Sequence, residues 1–241
     1  MCIIFVGFNV RGNQPLVLAA NRDEFYSRPT AAAAFWEDAP EIFAGRDLVG
    51  GGTWLGVSKQ GRFAAVTNYR DPKGATGTVS RGNLVADFLR GNETAGEYLE
   101  GVSSREDEFS GFNLLAGEMN EKRQELFYYS NRGGEPVQLK AGIYGLSNHL
   151  LDTGWPKLSG GKLRFEAILS EKDLDREAIF SLLADEALAD DSGLPDTGVG
   201  YEIEKALSAV FIRTPGYGTR CSTLLTFDRN FQFDLDERVF V

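Results

Sequence analysis

Histidine occurs once in the 241-residue chain, at His149, and cysteine only at Cys2 and Cys221. One histidine excludes any Ser-His-Asp or Cys-His catalytic device not built on His149, and it leaves too few imidazoles for a histidine-rich zinc or iron site. Two cysteines make neither a disulfide framework nor a multi-thiolate zinc centre. Long apolar runs are missing too: nothing approaches the roughly 18 residues of a membrane span, and residues 2–8 are too short for a signal segment and lack a basic lead-in. Basic charge is scarce, with 25 Lys and Arg against 35 Asp and Glu and a net charge of −10. That field repels phosphate backbones and anionic lipid, and no Lys/Arg cluster offsets it locally. The expectation is a soluble, cytoplasmic protein with no membrane span and no nucleic-acid partner.

What is present is a core. At 42% hydrophobic and 25% charged residues the composition is that of a folded globular chain. No repeat of fixed period and no linker rich in Pro, Gly or Ser divides it, so one domain over residues 1–241 is expected. Nothing in the sequence fixes an oligomeric state.

Residues 2–8 and 16–21 are near-continuous apolar runs around a turn-rich loop at 11–15, which predicts a hairpin buried on both faces. A second hairpin is expected from the glycine-rich stretch at 50–57 and from residues 63–68. Ser80 is a candidate N-cap for a helix through Leu84, Val85, Phe88 and Leu89 that ends at Gly91. A weaker helix over 94–102, strands at 112–116 and 126–129, and a short strand at 143–146 follow. Pro156 opens a further helix at the first-turn position that proline tolerates, and Ile179, Leu182 and Leu183 mark another. Strands are then expected at 209–212, 221–227 and 231–235. Hairpins and helices come in blocks without a strand-helix-strand rhythm, which favours an α+β fold of antiparallel sheets flanked by helices.

The chemistry centres on Cys2. Removal of an initiator methionine before a small residue would leave Cys2 with a free α-amino group, joining nucleophile and base in one residue. The thiolate is the attacking species, and an α-amine with an ordinary pKa of about 7.7–8.0 can take the thiol proton. The alternative is that Cys2 is a small hydrophobe in a buried first strand. Asn21-Arg22-Asp23-Glu24 follows the second strand, where Arg22 can stabilise a thiolate and Asp23 can hold an α-ammonium or orient Arg22; a surface ion-pair network fits the same residues. Asn68 and Asn148 sit at predicted strand ends, each able to donate to an oxyanion or to make an Asx turn. Arg220 can fork onto a substrate carboxylate or pair with one of the many acidic residues.

Taken together, Met1-Cys2, Asn21-Arg22-Asp23-Glu24, Gly51-Gly52-Thr53-Trp54-Leu55-Gly56, Thr67-Asn68-Tyr69-Arg70, Ser80-Arg81-Gly82, Ser147-Asn148 with Trp155-Pro156-Lys157, and Tyr217-Gly218-Thr219-Arg220 resemble the NRDE family, which includes the transport and Golgi organisation 2 proteins. The resemblance spans nearly the whole chain. That family is similar to the N-terminal-nucleophile hydrolases of the penicillin V acylase and bile salt hydrolase type. It implies a four-layer αββα sandwich with catalytic Cys2, Arg22, Asp23, Asn68 and Asn148, and with Asn21, Trp54, Tyr69 and Arg220 lining the substrate pocket. Neither metal nor cofactor is expected for hydrolysis of a non-peptide amide. The other function compatible with the resemblance is a carrier for a hydrophobic ligand, lipid or haem, with His149, Cys2, Cys221, Met119 or a tyrosine as candidate axial ligands. One departure from the acylases stands out: Arg22 and Asp23 are adjacent, and neighbours on a strand point to opposite faces.

Overall fold

The structure, a computed structural model, describes residues 2–241. In chain order the elements are β1 (Cys2–Phe8), β2 (Leu16–Phe25), β3 (Thr30–Trp36), β4 (Ala39–Asp47), β5 (Leu55–Ser58), β6 (Arg62–Asn68), α1 (Arg81–Arg90), α2 (Ala95–Ser103), β7 (Phe112–Met119), β8 (Gln124–Ser130), β9 (Val137–Gln138), β10 (Gly142–Leu146), α3 (Pro156–Ser170), α4 (Arg176–Leu183), α5 (Tyr201–Ala206), β11 (Arg213–Thr214), β12 (Tyr217–Phe227) and β13 (Phe233–Val239). Two antiparallel sheets result. The first runs β10-β1-β2-β12-β11 with β13 also on β12, and the second runs β3 to β9 in sequence order.

Strand alternation sorts the apolar residues into three cores. Ile4, Val6 and Leu18 of the first sheet meet Leu55, Val57, Phe63 and Leu115 of the second between the sheets. Ile3, Phe5 and Ala19 point the other way, onto Leu158 and Phe165 of α3 and Ile179 and Leu182 of α4. On the far side Ile42, Ala64, Val66 and Leu114 pack against Leu84, Val85, Phe88 and Leu89 of α1 and Leu99 of α2. Helices, sheet, sheet and helices therefore stack in four layers, and β1 is buried along its whole length because both its faces are covered. No helix among the described residues is long and apolar enough to cross a membrane.

Several boundaries differ from the sequence expectations. β2 continues through Asn21, Arg22, Asp23 and Glu24 to Phe25, because distant partners satisfy its buried polar groups. β3 and β4 were not foreseen: β3 pairs only with β4 and most of its residues are partly or fully exposed, so it lacks the apolar alternation that marks a strand. Residues 209–212 are irregular, and the strand begins only at Arg213. Thr94 caps α2 firmly, its hydroxyl accepting from the Glu97 N–H at 3.2 Å while Glu97 accepts from the Thr94 N–H at 2.9 Å, a reciprocal pair that compensates for a short helix.

Candidate active site

The inter-sheet layer opens at one end into a cavity of about 520 Å³ whose wall includes Cys2, Arg22, Asp23, Trp54, Asn68 and Arg81. Backbone register explains how Cys2 and Arg22 come together. Cys2 faces Arg22 across the β1–β2 ladder, and directly opposed residues present their side chains to one side of a sheet. Cys221 of β12 stands opposite Arg22 on its other flank, so the guanidinium lies in a row between two thiols. Arg22 is 6% exposed and donates to Thr30 Oγ1 at 3.0 Å.

Asp23 takes the other side of β2, as strand alternation requires. Its Oδ1 accepts from Thr219 Oγ1 at 2.7 Å. Both Arg22 and Asp23 nevertheless line the cavity, which answers the difficulty posed by their adjacency: β2 runs on past the register of Cys2, so both sides of its end are reachable. Burial pushes the Cys2 thiol above its ordinary value and the Asp23 carboxylate adds to this, while the Arg22 guanidinium and the Asp23 main-chain N–H oppose it. Burial raises the Asp23 carboxyl as well, against the nearby charge of Lys157 and the Thr219 hydroxyl. A thiol so placed rests protonated and needs a base to react.

A polar chain ties β1 to the second sheet. Ser147 Oγ donates to the Cys2 carbonyl at 3.1 Å, and Thr67 Oγ1 donates to the Ser147 carbonyl at 2.6 Å. Asn148 Nδ2 donates to both the main-chain oxygen of Asn68 at 3.2 Å and its Oδ1 at 3.0 Å. Asn68 lines the cavity, and the Asn148 bonds engage its oxygens and not its Nδ2. Asn148 itself is fully buried and absent from the wall, behind Asn68.

Three residues expected in the pocket lie outside the cavity wall. Asn21 is fully buried on the helix-facing side of β2, where its Nδ2 donates to the Leu183 and Val210 carbonyls at 2.8 and 2.9 Å. Tyr69 stacks on His149 with ring centres 4.9 Å apart and does not reach the cavity wall. Arg220 is a clamp: Nη1 donates to the carbonyls of Phe25, Tyr26 and Arg28 at 3.0, 3.1 and 2.6 Å, and Nη2 to that of Val241 at 3.1 Å. Arg220→Met strips four partly buried carbonyls of a charged donor and should lower the unfolding free energy by about 2 kcal/mol. Urea titration reads this directly, and a loss under about 1 kcal/mol would contradict the clamp. Trp54, by contrast, lies in the cavity wall.

Arg81 and Lys157 stand in the motifs without an expected role. Arg81 opens α1, and Lys157 follows Pro156 in the first turn of α3; neither turn carries an acidic residue. A cation at the positive end of a helix opposes the macrodipole, and that anomaly was the legible signal. Lys157 Nζ donates to the Leu207 carbonyl at 2.8 Å, and burial pulls its pKa down to about 8. Arg81 is brought to the cavity by glycine packing. A Cβ on Gly52 would meet the Gly82 carbonyl at 2.4 Å, so the two backbones touch, and the Thr53 N–H donates to the Gly82 oxygen at 3.2 Å.

Of the proposed haem ligands Cys2, Cys221, Met119 and His149, Cys2 alone lines the cavity; Met119 lies in the inter-sheet core. The wall offers a hydrophobic ligand little beyond Trp54, Val66 and Val79 among charged and hydroxyl groups. The expected removal of Met1 concerns a residue outside those described.

The family model described as Transport and Golgi organisation 2 matches residues 1–241. The Transport and Golgi organization protein 2 homolog of Bos taurus is 42% identical over 255 residues, covering 99% of this chain and 92% of that protein. The homolog of Homo sapiens is 40% identical with the same coverage. Among solved structures, a Caenorhabditis elegans N-acylethanolamine-hydrolyzing acid amidase ortholog superposes with a TM-score of 0.53 at 11% identity, covering 93% of this chain and 92% of that one. A variant of conjugated bile acid hydrolase from Clostridium perfringens gives 0.51 at 9% identity, covering 100% and 96%. At such identities the likeness to the two hydrolases is one of fold.

Proposed function

The chain belongs to the Transport and Golgi organisation 2 family, and from that premise and the cavity together we propose that it is an N-terminal cysteine amidohydrolase acting on a non-peptide amide. The observation that carries this reading is the meeting of Cys2, its register partner Arg22 and Asn68 on one cavity wall. The fold shared with an N-acylethanolamine-hydrolyzing acid amidase and a conjugated bile acid hydrolase supports it.

Removal of Met1 frees the Cys2 nitrogen. That amine takes the Sγ proton, and the thiolate attacks the amide carbon. Asn68 Nδ2 donates to the oxyanion that forms. Collapse breaks the C–N bond, the α-ammonium gives its proton to the departing amine, and a thioester to Cys2 remains. Water, deprotonated by the same amine, attacks the thioester, releasing the acid and restoring the thiol. Arg22 supplies positive charge beside the thiolate throughout. The raised thiol pKa is compatible with this order of events, since the base sits within the nucleophile's own residue.

The test compares the Met1-free protein with one that retains Met1 through an uncleaved N-terminal extension, on a panel of N-acyl amides. The processed form should hydrolyse at least one member with kcat/KM at least about 10²-fold above the retained form, the usual worth of a positioned general base. Equal rates would overturn the amine-assisted mechanism.

A further inference from the structure

The cavity carries guanidinium groups that no carboxylate claims. Four arginines line it, Arg22, Arg28, Arg46 and Arg81, alongside Asp23, Glu24 and Asp47. Two of the four are committed: Arg28 donates twice to Asp47 Oδ2, at 2.9 and 2.7 Å, and Arg46 grips Asp38. Arg22 has the Thr30 hydroxyl, and Arg81 Nη1 has the Gly111 carbonyl at 3.0 Å. Neither forms a salt bridge among the described residues. A guanidinium has five N–H donors, and each of these two residues, which line the cavity, spends only one on a protein oxygen.

Arg81 is the more telling of the two. It occupies the first position of α1, whose N-cap Ser80 makes no side-chain capping bond and whose first turn holds no acid. The partial positive charge of the helix end therefore adds to the guanidinium instead of cancelling it. Arg22 brings a second, 94%-buried cation into the same space, its side chain being 6% exposed. Glu24 is the acid whose charge reaches Arg81, and it lines the same cavity without closing a salt bridge to it. Burial depresses the Arg81 pKa, so a bound anion would relieve a real cost.

We propose that Arg81, with the N-terminus of α1, receives an anionic oxygen group on the substrate, so that the enzyme takes amides carrying a carboxylate or phosphate monoester rather than neutral ones. This deepens the hydrolase reading and rests on it for the amide. A forked guanidinium accepts either oxyacid, and Arg22 remains beside the thiol. Arg81 is thus the specificity-determining residue, and the anion fixes the amide carbonyl between Cys2 and Asn68.

The test uses three probes with one acyl chain: N-octanoylglycine, N-octanoyl-O-phosphoethanolamine and neutral N-octanoylethanolamine. Binding to the Cys2→Ala protein is measured by calorimetry at two salt concentrations. At least one anionic probe should bind about tenfold or more tighter than the neutral one, and the advantage should shrink at high salt. Arg81→Gln should bring the three within about twofold, and Arg81→Lys, which keeps a point charge and serves as the folding control, should retain part of the preference. The stronger anionic arm identifies carboxylate or phosphate as the source. Equal binding of all three, or a preference that survives Arg81→Gln, overturns the proposal. Its failure is distinguishable from that of the hydrolase reading: cleavage of all three probes at equal rates by the Cys2 protein sinks the anion site alone, whereas Arg81-dependent binding without any cleavage sinks hydrolysis alone.

Discussion

Cys2→Ala in the Met1-free protein reduces kcat/KM for amide hydrolysis by at least about 10³-fold, because both the attacking atom and the thioester intermediate disappear with the sulfur. The fold should survive the change. The Ser147 hydroxyl is anchored to the Cys2 main-chain oxygen rather than to its side chain, and β1 keeps its pairing to β2 and β10. Trimming one buried thiol to a methyl costs about 1 kcal/mol, which circular dichroism melting would register as a modest shift. Cys221→Ala should leave kcat/KM within about twofold, since Cys221 is buried away from the cavity wall. Steady-state kinetics on the three proteins decides the matter; residual activity within tenfold of wild type in Cys2→Ala would remove the sulfur from the mechanism.

Asn68→Ala should cost about 10²–10³-fold in kcat with little change in KM, the signature of a donor used only when negative charge develops on the carbonyl oxygen. Asn148 provides the internal control. Its amide holds Asn68 by two hydrogen bonds and touches no cavity wall, so Asn148→Ala should lower kcat by a smaller factor, about tenfold, by letting the Asn68 amide swing. In the Asn68→Ala background the second substitution should then have almost no effect on kcat, because nothing is left to position. Additive losses in the double-mutant cycle would mean that Asn148 acts by a separate route, and a raised KM with unchanged kcat for Asn68→Ala would make it a ground-state binding residue.

The layers were legible because burial on two faces leaves a plain mark. Residues 2–8 are apolar at consecutive positions, and the structure uses Ile3 and Phe5 against the helices and Ile4 and Val6 against the other sheet. β3 left no such mark, being an edge strand of small residues that faces solvent over much of its length. The site was half legible. Cys2, Arg22, Asp23, Trp54 and Asn68 could be named in advance, and all line one cavity. Asn21 and Arg220 stand in the same motifs but bond elsewhere, because their partners, the carbonyls of Leu183 and Val210 for Asn21 and of Phe25, Tyr26 and Arg28 for Arg220, are far away in sequence. No local pattern announces a hydrogen bond across more than 160 residues. Arg81 went unnoticed for the opposite reason: its signal was local, a cation at a helix start, but only the contact of Gly52 with Gly82 shows that this start faces the thiol's cavity.

Intact-mass spectrometry of the purified protein, before and after brief exposure to an activated octanoyl ester, tests the liberated thiol and amine of Cys2 most directly. The account predicts a chain lacking Met1 that gains one octanoyl group, mapped by fragmentation to Cys2, and then loses it with time as water completes the cycle. A catalytically active chain that still carries Met1, or a stable adduct on Lys157 or Cys221 in place of Cys2, would contradict it.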